Sequence, residues 1–247
     1  MVSQPSGTLA VEGLLNLRDL GGLPIETGGL TRHGRLLRSD ALHSLTPSGQ
    51  DALVALGVST VVDLRTAAEL QELPSPLLDV PGVRCVNAPI FTDEDKFPAD
   101  VVTAADAYRW YVRDLQPGIA AALLAIADSE APPILVHCHA GKDRTGVVVA
   151  LVLLLAGVGV DAIADDYALS GVQLADVLAR DWVTALERGM DSVRAERLFT
   201  VHRESIVDMV RRIDSEHGGA AEYLRGLGLD APRIDRLRRL LVAPDWP

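Results

Sequence analysis

Residues 136–146 read VHCHAGKDRTG, and this stretch decides the fold. An apolar strand pattern runs into Cys138, five residues intervene, and Arg144 stands at the start of a long apolar helix pattern. A strand-to-helix loop can surround a phosphate with backbone N–H groups and the positive end of the helix. Gly141 permits the tight turn, and the guanidinium of Arg144 can bind two phosphate oxygens. The segment therefore predicts a phosphate-binding loop. The loop residues predicted to contact substrate are His139, Ala140, Gly141, Lys142 and Thr145.

Cys138 is the predicted nucleophile of this loop. The positive electrostatic potential that attracts phosphate to the loop also favours the thiolate form of a cysteine, which is the nucleophilic form. Attack on a phosphate monoester would give a phosphocysteine, and Thr145 is placed to donate its hydroxyl to the sulfur when that bond breaks. Alternatively, Cys138 is a small buried apolar residue and Arg144 a surface residue. The register of Cys, Gly, Arg and Thr between strand and helix favours catalysis.

Short β-branched runs alternate with helical patterns before this loop. The runs lie at 34–40, 58–64, 83–90 and 133–138, and the helical patterns at 46–57, 66–73 and 104–130. Residues 91–100 are acidic with a proline and predict an exposed loop. After Val160 the pattern is helical almost to the end. This alternation predicts an α/β fold with a central, mostly parallel sheet flanked by helices. We expect one phosphatase domain over residues 1–247.

The bulk composition limits the class of protein. The chain has 247 residues, 48% of them hydrophobic, and a formal net charge of −11. That charge argues against a broad nucleic-acid surface, which needs an excess of Lys and Arg. Its two cysteines, Cys85 and Cys138, are too few for a disulfide framework and have no zinc-site spacing. We expect a reducing compartment, no metal and no other cofactor.

Neither a leader nor a membrane span is predicted. The first residues lack the basic and apolar regions of a signal peptide, so a cytoplasmic location is expected, with signal-independent export left open. The most apolar stretch, Val147 to Val160, is shorter than the roughly 20 residues of a membrane helix. It predicts a buried helix.

Several motifs together carry a resemblance. A Cys, five residues, an Arg and a Ser or Thr form the signature loop of the protein tyrosine phosphatase superfamily, and HCHAGKDRTG resembles its atypical bacterial branch. That branch also has NLRDLGG, found here at 16–22, RSD at 38–40 and DLR at 63–65. The ADDYALS and EYLRGLG segments extend the likeness over most of the chain.

The resemblance implies an activity and a lid. It implies metal-independent dephosphorylation of phosphotyrosine in proteins or peptides, with phosphoserine, phosphothreonine or phosphoinositides as further substrates of some members. It also implies a helical lid over the site, for which residues 181–212 are the candidate.

A phenolate leaving group requires a general acid, since the pKa of phenol is near 10. No WPD motif, which supplies the acid in many tyrosine phosphatases, occurs here. The resemblance instead implies that Asp143, inside the loop, is the general acid. Its alternative role is to pair with Arg144 or a lysine. Asp63, at the end of a predicted strand, could serve as the acid or border the substrate. Asp93 and Asp95 on the acidic loop are the remaining candidates.

Other polar residues near these motifs have two interpretations each. Lys142 could bind a second phosphate or a carboxylate, or could be a solvated charge. His137 and His139 could each tune the thiolate, and strand packing explains His137 equally well; His139 is expected to face substrate. Cys85 predicts a buried strand residue, with capture of oxidised Cys138 as the alternative.

The N-terminal polar residues are expected to be structural. Asn16, Arg18 and Asp19 predict a polar turn fixed by the following glycines. Arg38 and Arg65 could border the pocket or balance neighbouring carboxylates.

Two other functions could use a similar loop. A rhodanese-type sulfurtransferase also uses a cysteine loop, but its loop is commonly one residue shorter. A non-catalytic phosphate-binding module typically lacks the Cys, the Arg or the acid, and all three occur here.

Overall fold

A central sheet organises the structure, a computed structural model that describes residues 7–95 and 98–243. Its strands are β1 (Arg18–Asp19), β2 (Leu36–Ser39), β3 (Thr60–Asp63), β4 (Arg84–Asn87) and β5 (Ile134–His137). Their order across the sheet is β1-β2-β5-β3-β4. The pairs β2–β5, β5–β3 and β3–β4 are parallel, and β1 is antiparallel to β2. The predicted mostly parallel α/β sheet is confirmed, with β5 at its centre.

Helices connect and cover the strands. The first six are α1 (Pro47–Ala55), α2 (Ala67–Glu72), α3 (Ala104–Asp114), α4 (Gln116–Ala127), α5 (Asp143–Leu155) and α6 (Val160–Gln173). The C-terminal five are α7 (Ala175–Glu187), α8 (Ser192–Phe199), α9 (Arg203–His217), α10 (Ala220–Gly226) and α11 (Ala231–Leu241). A short 3₁₀ helix spans Leu42–Ser44.

Successive strand residues point to opposite faces of the sheet, so two hydrophobic clusters form. The larger contains Val62, Val136 and Cys138 together with the buried sides of α3 to α6 and of α9 to α11. The smaller contains Val61, Leu135 and residues of α1 and the N-terminal segment. The sheet is therefore covered on both faces, as a parallel sheet requires.

The apolar stretch at 147–160 forms most of α5. Eleven of its thirteen residues are buried, so the helix is apolar on every side. The chain turns at Gly157, whose φ of +81° is accessible to glycine. The predicted buried helix is confirmed. Within residues 7–95 and 98–243, no helix has the combination of length and apolar character that crossing a bilayer requires.

The predicted helical stretch at 104–130 differs from the structure. It is divided into α3 and α4, which meet at Leu115. Pro117 stands in the first turn of α4 and has no backbone N–H for a continuous helix. In the acidic loop, the described residues 91–95 and 98–100 form neither helix nor strand. Lys96 and Phe97 lie outside the described residues.

The N-terminal motif differs from the predicted polar turn. Arg18 and Asp19 form a short edge strand, paired with Arg38 and Leu37. An antiparallel edge strand on a parallel sheet is a common arrangement. It brings the polar residues of this motif alongside β2, next to the central strand.

The carboxyl ends of the strands lie side by side. In the register of the sheet, His137 of β5 stands between Ser39 of β2 and Asp63 of β3. Cys138 follows directly, so the signature loop leaves the sheet at its carboxyl edge. This edge is where α/β sheets usually bind ligands.

Candidate active site

The signature loop joins β5 to α5. Cys138 is 3% exposed at its start, and α5 begins at Asp143. Gly141 has a φ of +65°, and a Cβ atom there would lie 2.0 Å from the carbonyl oxygen of Ser39. Only glycine can therefore occupy this turn, which brings the loop against the end of β2.

Two side chains donate hydrogen bonds to the backbone carbonyls of the loop. Asn16 Nδ2 donates to the carbonyl oxygens of Ala140 and Gly141, at 2.9 and 3.2 Å. Arg38 Nη2 donates to the Gly141 oxygen at 2.7 Å. In a trans peptide the N–H points away from the C=O. Fixing these carbonyls on one side therefore directs the adjacent N–H groups to the other, where a phosphate can bind.

A buried ion network anchors Arg38 directly and Asn16 through Arg18, whose Nη1 donates to Asn16 Oδ1 at 2.6 Å. Asp166 of α6 accepts from Arg18 Nε at 2.7 Å and from Arg38 Nη1 at 2.5 Å. Burial by itself raises the pKa of Asp166, but the two arginines outweigh it and lower that pKa. Burial, and then the charge of Arg38, lower the pKa of Arg18 to about 10. The network ties β1, β2 and α6 together beneath the loop.

Arg144, in the first turn of α5, is oriented by Glu69 of α2. Its Nη1 and Nη2 donate to the two carboxylate oxygens at 2.6 and 2.8 Å. Its guanidinium carbon also lies 4.9 Å from the ring centroid of Phe91. Burial would raise the pKa of Glu69, but the hydrogen bonds and charge of Arg144 lower it to about 2. Glu69 is thus ionised at neutral pH and cannot supply a proton.

Asp143 lies in the loop, and its side chain is 31% exposed. Its Oδ1 accepts from the hydroxyl groups of Tyr108 at 2.9 Å and Tyr167 at 3.4 Å. Its Oδ2 lies 3.5 Å from Lys142 Nζ. Asp143 therefore does not pair with Arg144, and its carboxylate is partly accessible from the surface.

The chain matches a known protein family over almost its whole length. The sequence profile described as "Tyrosine phosphatase family" matches residues 9–243. The chain belongs to the tyrosine phosphatase family. It is therefore a protein tyrosine phosphatase, as the signature loop predicts, and the rhodanese alternative is wrong.

Two curated relatives of this tyrosine phosphatase cover most of its length. It is 28% identical over 273 residues to the triple specificity protein phosphatase PtpB of Mycobacterium tuberculosis, a match that covers 93% of this chain and 97% of PtpB. It is 29% identical over 216 residues to a tyrosine-protein phosphatase of Nostoc commune, with 82% and 72% of the two chains covered.

Solved structures give weaker matches. The core catalytic domain of the PP-IP phosphatase SIW14 from S. cerevisiae matches with a TM-score of 0.42 and 14% identity, over 85% of this chain and 96% of that chain. P. aeruginosa TpbA in complex with pTyr matches with a TM-score of 0.37 and 23% identity, over 78% and 95%.

Lys142 of this phosphatase has neither of its predicted environments. Its side chain is 1% exposed, and its ammonium donates to the carbonyl oxygens of Leu198 at 3.0 Å and Thr200 at 2.8 Å. It is therefore neither a solvated charge nor free to bind a second phosphate. Because the last carbonyls of a helix attract cations, Lys142 fastens the C-terminal end of α8 to the signature loop.

The other acid candidates are engaged in structural contacts. Asp63 is buried, and its carboxylate accepts from Nε and Nη2 of Arg65 and from the backbone N–H of Arg65. Asp93 accepts from the backbone N–H of Ala68 in the first turn of α2. Asp95 accepts from the N–H and hydroxyl of Thr92 within its own turn. Of the four, Asp143 alone is part of the signature loop.

The two histidines beside the nucleophile have different surroundings. His137 is fully buried and its Nδ1 lies 3.0 Å from the carbonyl oxygen of Cys138. Burial lowers its pKa, although Asp63 opposes this. The side chain of His139 is 54% exposed and stacks on His43, with ring centroids 6.4 Å apart. His139 thus stands at the surface next to Cys138.

Cys85 lies on the opposite face of the sheet from Cys138. It packs against the smaller hydrophobic cluster, and β3 separates its strand from β5. Two strand spacings amount to roughly 9.5 Å, beyond the reach of a disulfide without backbone movement. Burial, with Asp63 adding to it, raises the pKa of the Cys85 thiol. Both cysteines are free, and Cys85 is not placed to capture oxidised Cys138.

Thr145 is fully buried in the first turn of α5. Among the described residues, its hydroxyl has no hydrogen-bond partner. A buried hydroxyl normally has one, so an unsatisfied donor at a strand-to-helix loop requires an explanation. The sulfur of Cys138 does not accept a hydrogen bond from this hydroxyl in the structure.

Sequence reasoning missed four residues of this site: Glu69, Tyr108, Asp166 and Tyr167. The sequence around Glu69 is ambiguous. Thr66 and Glu69 have the spacing of a capping box, and helix capping alone explains both residues without a role in the site. Asp166 and Tyr167 lie in the ADDYALS segment that carries part of the resemblance, but neither they nor Tyr108 had a local signal for this role, because their partners are far away in the sequence.

The site is locally cationic in an acidic protein. Four cations, Arg18, Arg38, Lys142 and Arg144, surround the loop with three carboxylates, Asp143, Asp166 and Glu69. This local excess of one positive charge favours anion binding despite the net charge of −11.

Proposed function

We propose that this chain acts as a single catalytic domain that hydrolyses phosphotyrosine in proteins or peptides through a phosphocysteine at Cys138. One observation carries the proposal. A buried thiol stands at the end of β5, and Arg144, which Glu69 fixes, stands in the first turn of α5 at the other end of the same loop. The two groups bracket the loop whose N–H groups would hold the phosphate.

In the first step, the thiolate of Cys138 attacks phosphorus and the bond from phosphorus to the tyrosine oxygen breaks. Arg144 and the loop N–H groups stabilise the charge that spreads over the phosphoryl oxygens. Asp143 donates its proton to the leaving phenolate, which would otherwise depart as an anion of high basicity.

In the second step, water attacks the phosphocysteine. The carboxylate of Asp143 accepts a proton from this water, the sulfur–phosphorus bond breaks, and inorganic phosphate is released. The electron pair returns to Cys138 as a thiolate. Thr145, whose buried hydroxyl has no hydrogen-bond partner among the described residues, is the proposed donor that stabilises that sulfur.

The substrate range is proposed from the relatives and the loop. Phosphotyrosine comes first because the chain belongs to the tyrosine phosphatase family. The name "triple specificity" of the mycobacterial relative supports phosphoserine and phosphothreonine as further substrates. The resemblance also implies phosphoinositides, but Lys142 does not support them, because its ammonium is engaged by two backbone carbonyls. A reducing, cytoplasmic setting would keep Cys138 as a thiol.

A lid is proposed from α7 and α8 rather than from the whole range 181–212. Each of these two helices buries one residue, Ala185 in α7 and Ala195 in α8. By contrast, α9 contributes Ile206, Met209 and Ile213 to the main core. The α7–α8 hairpin is thus weakly packed on the body, and Lys142 supports its attachment to the loop.

Hydrolysis of p-nitrophenyl phosphate, phenyl phosphate and a phosphotyrosine peptide without added metal tests the proposal. Cys138→Ser should abolish turnover. Asp143→Asn should slow phenyl phosphate more than p-nitrophenyl phosphate, because the poorer leaving group depends more on the acid. Asp63→Asn is the matched control and should leave this leaving-group dependence unchanged. Turnover by Cys138→Ser would overturn the proposal.

A further inference from the structure

Two buried tyrosines converge on one oxygen of Asp143. Tyr108 comes from α3 and Tyr167 from α6, and each is 1% exposed. Their hydroxyl groups lie 2.9 and 3.4 Å from Oδ1 of Asp143, and their rings pack edge to face with centroids 5.9 Å apart. The edge-to-face contact holds the two hydroxyl groups in place from separate helices.

Both tyrosines keep their phenol protons at neutral pH and can donate hydrogen bonds. Burial, and then the nearby charge of Asp143, raise the pKa of each phenol well above its ordinary value. Because a phenol hydroxyl has one proton, each tyrosine that donates to Oδ1 commits that proton to this oxygen. Oδ1 thus accepts from two O–H groups, and a proton carried by Asp143 belongs on Oδ2.

We propose that Tyr108 and Tyr167 are positioning residues that hold Oδ1, so that Oδ2 of Asp143 accepts the proton of the attacking water when the phosphocysteine is hydrolysed. This inference rests on the proposed function, since it assigns the orientation of the same acid and base. Oδ2 points to the side of the carboxylate where Lys142 Nζ lies, 3.5 Å away.

The two donors act unequally on the two steps. Hydrogen bonds to a carboxylate stabilise its ionised form. The second step needs that ionised form, because Oδ2 takes a proton from water while the sulfur–phosphorus bond breaks and its electron pair passes to Cys138. The first step needs the protonated form. The tyrosines therefore favour hydrolysis of the phosphocysteine over its formation.

Other titratable groups around Asp143 are common to all the variants below. Lys142 faces Oδ2, and Arg144 follows Asp143 in α5. Tyr111 of α3 lies close enough for the charge of Asp143 to raise its pKa, after burial. Cys138 is phosphorylated in the second step, so its own titration does not contribute there.

The test uses Tyr108→Phe, Tyr167→Phe and the double variant. The matched control is Tyr223→Phe, because Tyr223 is 2% exposed and donates to the carbonyl oxygen of Val112 at 2.8 Å, away from the loop. The readouts are the pH profile of kcat for p-nitrophenyl phosphate and the pre-steady-state burst of nitrophenol. A burst reports the first step, and kcat reports the second when hydrolysis is slow.

We expect the burst to remain in Tyr108→Phe while kcat falls about 10-fold at acidic pH, the loss of about one hydrogen bond to a charged group. The acidic limb of the profile should shift upward by about one pH unit, because the ionised carboxylate has lost a donor. Tyr167→Phe, with the longer contact, should shift it less, and the double variant more than either. Tyr223→Phe should not shift it.

An unshifted acidic limb in both single variants and in the double variant, or an equal shift in Tyr223→Phe, would overturn the inference. A combined variant separates it from the proposed function. In an Asp143→Asn background, Tyr108→Phe should cause no further shift, and a further shift would contradict action through Asp143. If Asp143→Asn keeps the wild-type kcat on phenyl phosphate, the assignment of Asp143 as the acid fails and the inference fails with it.

Discussion

Glu69 accepts hydrogen bonds from both terminal nitrogens of Arg144, at 2.6 and 2.8 Å, and this pair fixes the guanidinium of the phosphate loop. Glu69 is itself held, because its Oε2 also accepts from the backbone N–H of Thr66 in the capping box of α2. A helix cap and the orientation of a phosphate-binding arginine thus depend on one carboxylate.

Replacing Glu69 should weaken phosphate binding. In Glu69→Gln the amide turns an N–H group toward Arg144, so one charge-assisted hydrogen bond is lost and the guanidinium is no longer fixed. We expect the inhibition constant of inorganic phosphate to rise about 10- to 100-fold, as for one charge-assisted hydrogen bond. The exposed Glu72 of the same helix is the matched control, and Glu72→Gln should bind phosphate normally. Equal affinities in all three proteins would contradict this role.

The same pair should make stability depend on pH at the acidic end. The pKa of Glu69 is lowered to about 2, below its unfolded value of about 4.3, so the contribution of the pair is complete above the unfolded pKa. It is lost as pH falls toward 2. Urea unfolding should show a gap between wild type and Glu69→Gln that is constant from pH 8 to 5 and narrows below. A gap that widens on acidification would disprove the direction of this linkage.

Asn16 should matter for phosphate binding because it donates to the carbonyls of Ala140 and Gly141. Asn16→Asp keeps the shape but replaces the donor with a negative charge next to those oxygens. We expect kcat/KM to fall about 100-fold or more, since two hydrogen bonds are lost and the loop can turn. Asn87→Asp is the control, because Asn87 donates to the carbonyls of Asp63 and Arg65. The prediction fails if both variants lose activity equally at equal stability.

Lys142 should hold the α7–α8 hairpin against the loop. In Lys142→Met the apolar stem remains and the two hydrogen bonds to Leu198 and Thr200 are lost. We expect limited proteolysis with proteinase K between α7 and α8, at residues 188–191, to become about tenfold faster or more, because the attachment loses charge-assisted bonds. Arg180→Met, which removes an exposed charge on α7, should cleave like wild type. Unchanged cleavage in Lys142→Met would show that apolar packing alone holds the hairpin.

Local sequence patterns predicted strands β2 to β5, most helices and the family. The β-branched runs became β2 to β5, and the apolar run after the loop became the buried helix α5. These features follow from side-chain periodicity and from turn residues, which act over a few positions. The division at Leu115 was readable in principle, since Pro117 marks it, but the helical spacing on both sides concealed it.

Local sequence patterns did not predict the partners of the charged side chains. The sequence predicts Lys142 as a substrate contact or a solvated charge, whereas it is buried against α8. The sequence predicts Arg38 as a pocket border or a balancing charge, and it donates to Asp166 and to the loop backbone. For such residues the choice of partner depends on elements more than 50 positions away, about which local periodicity carries no information.

The sequence by itself determined that this protein is a cysteine phosphatase of α/β architecture, because a strand, Cys138, a glycine turn, Arg144 and a helix must be contiguous for the loop to form. Only the tertiary structure decided what holds the site: Glu69 on Arg144, two tyrosines on Asp143, and the Arg18–Asp166–Arg38 network beneath the loop. The physical reason is that ionisable groups within a packed protein must find partners wherever the fold places them, and those partners come from helices and strands distant in the chain.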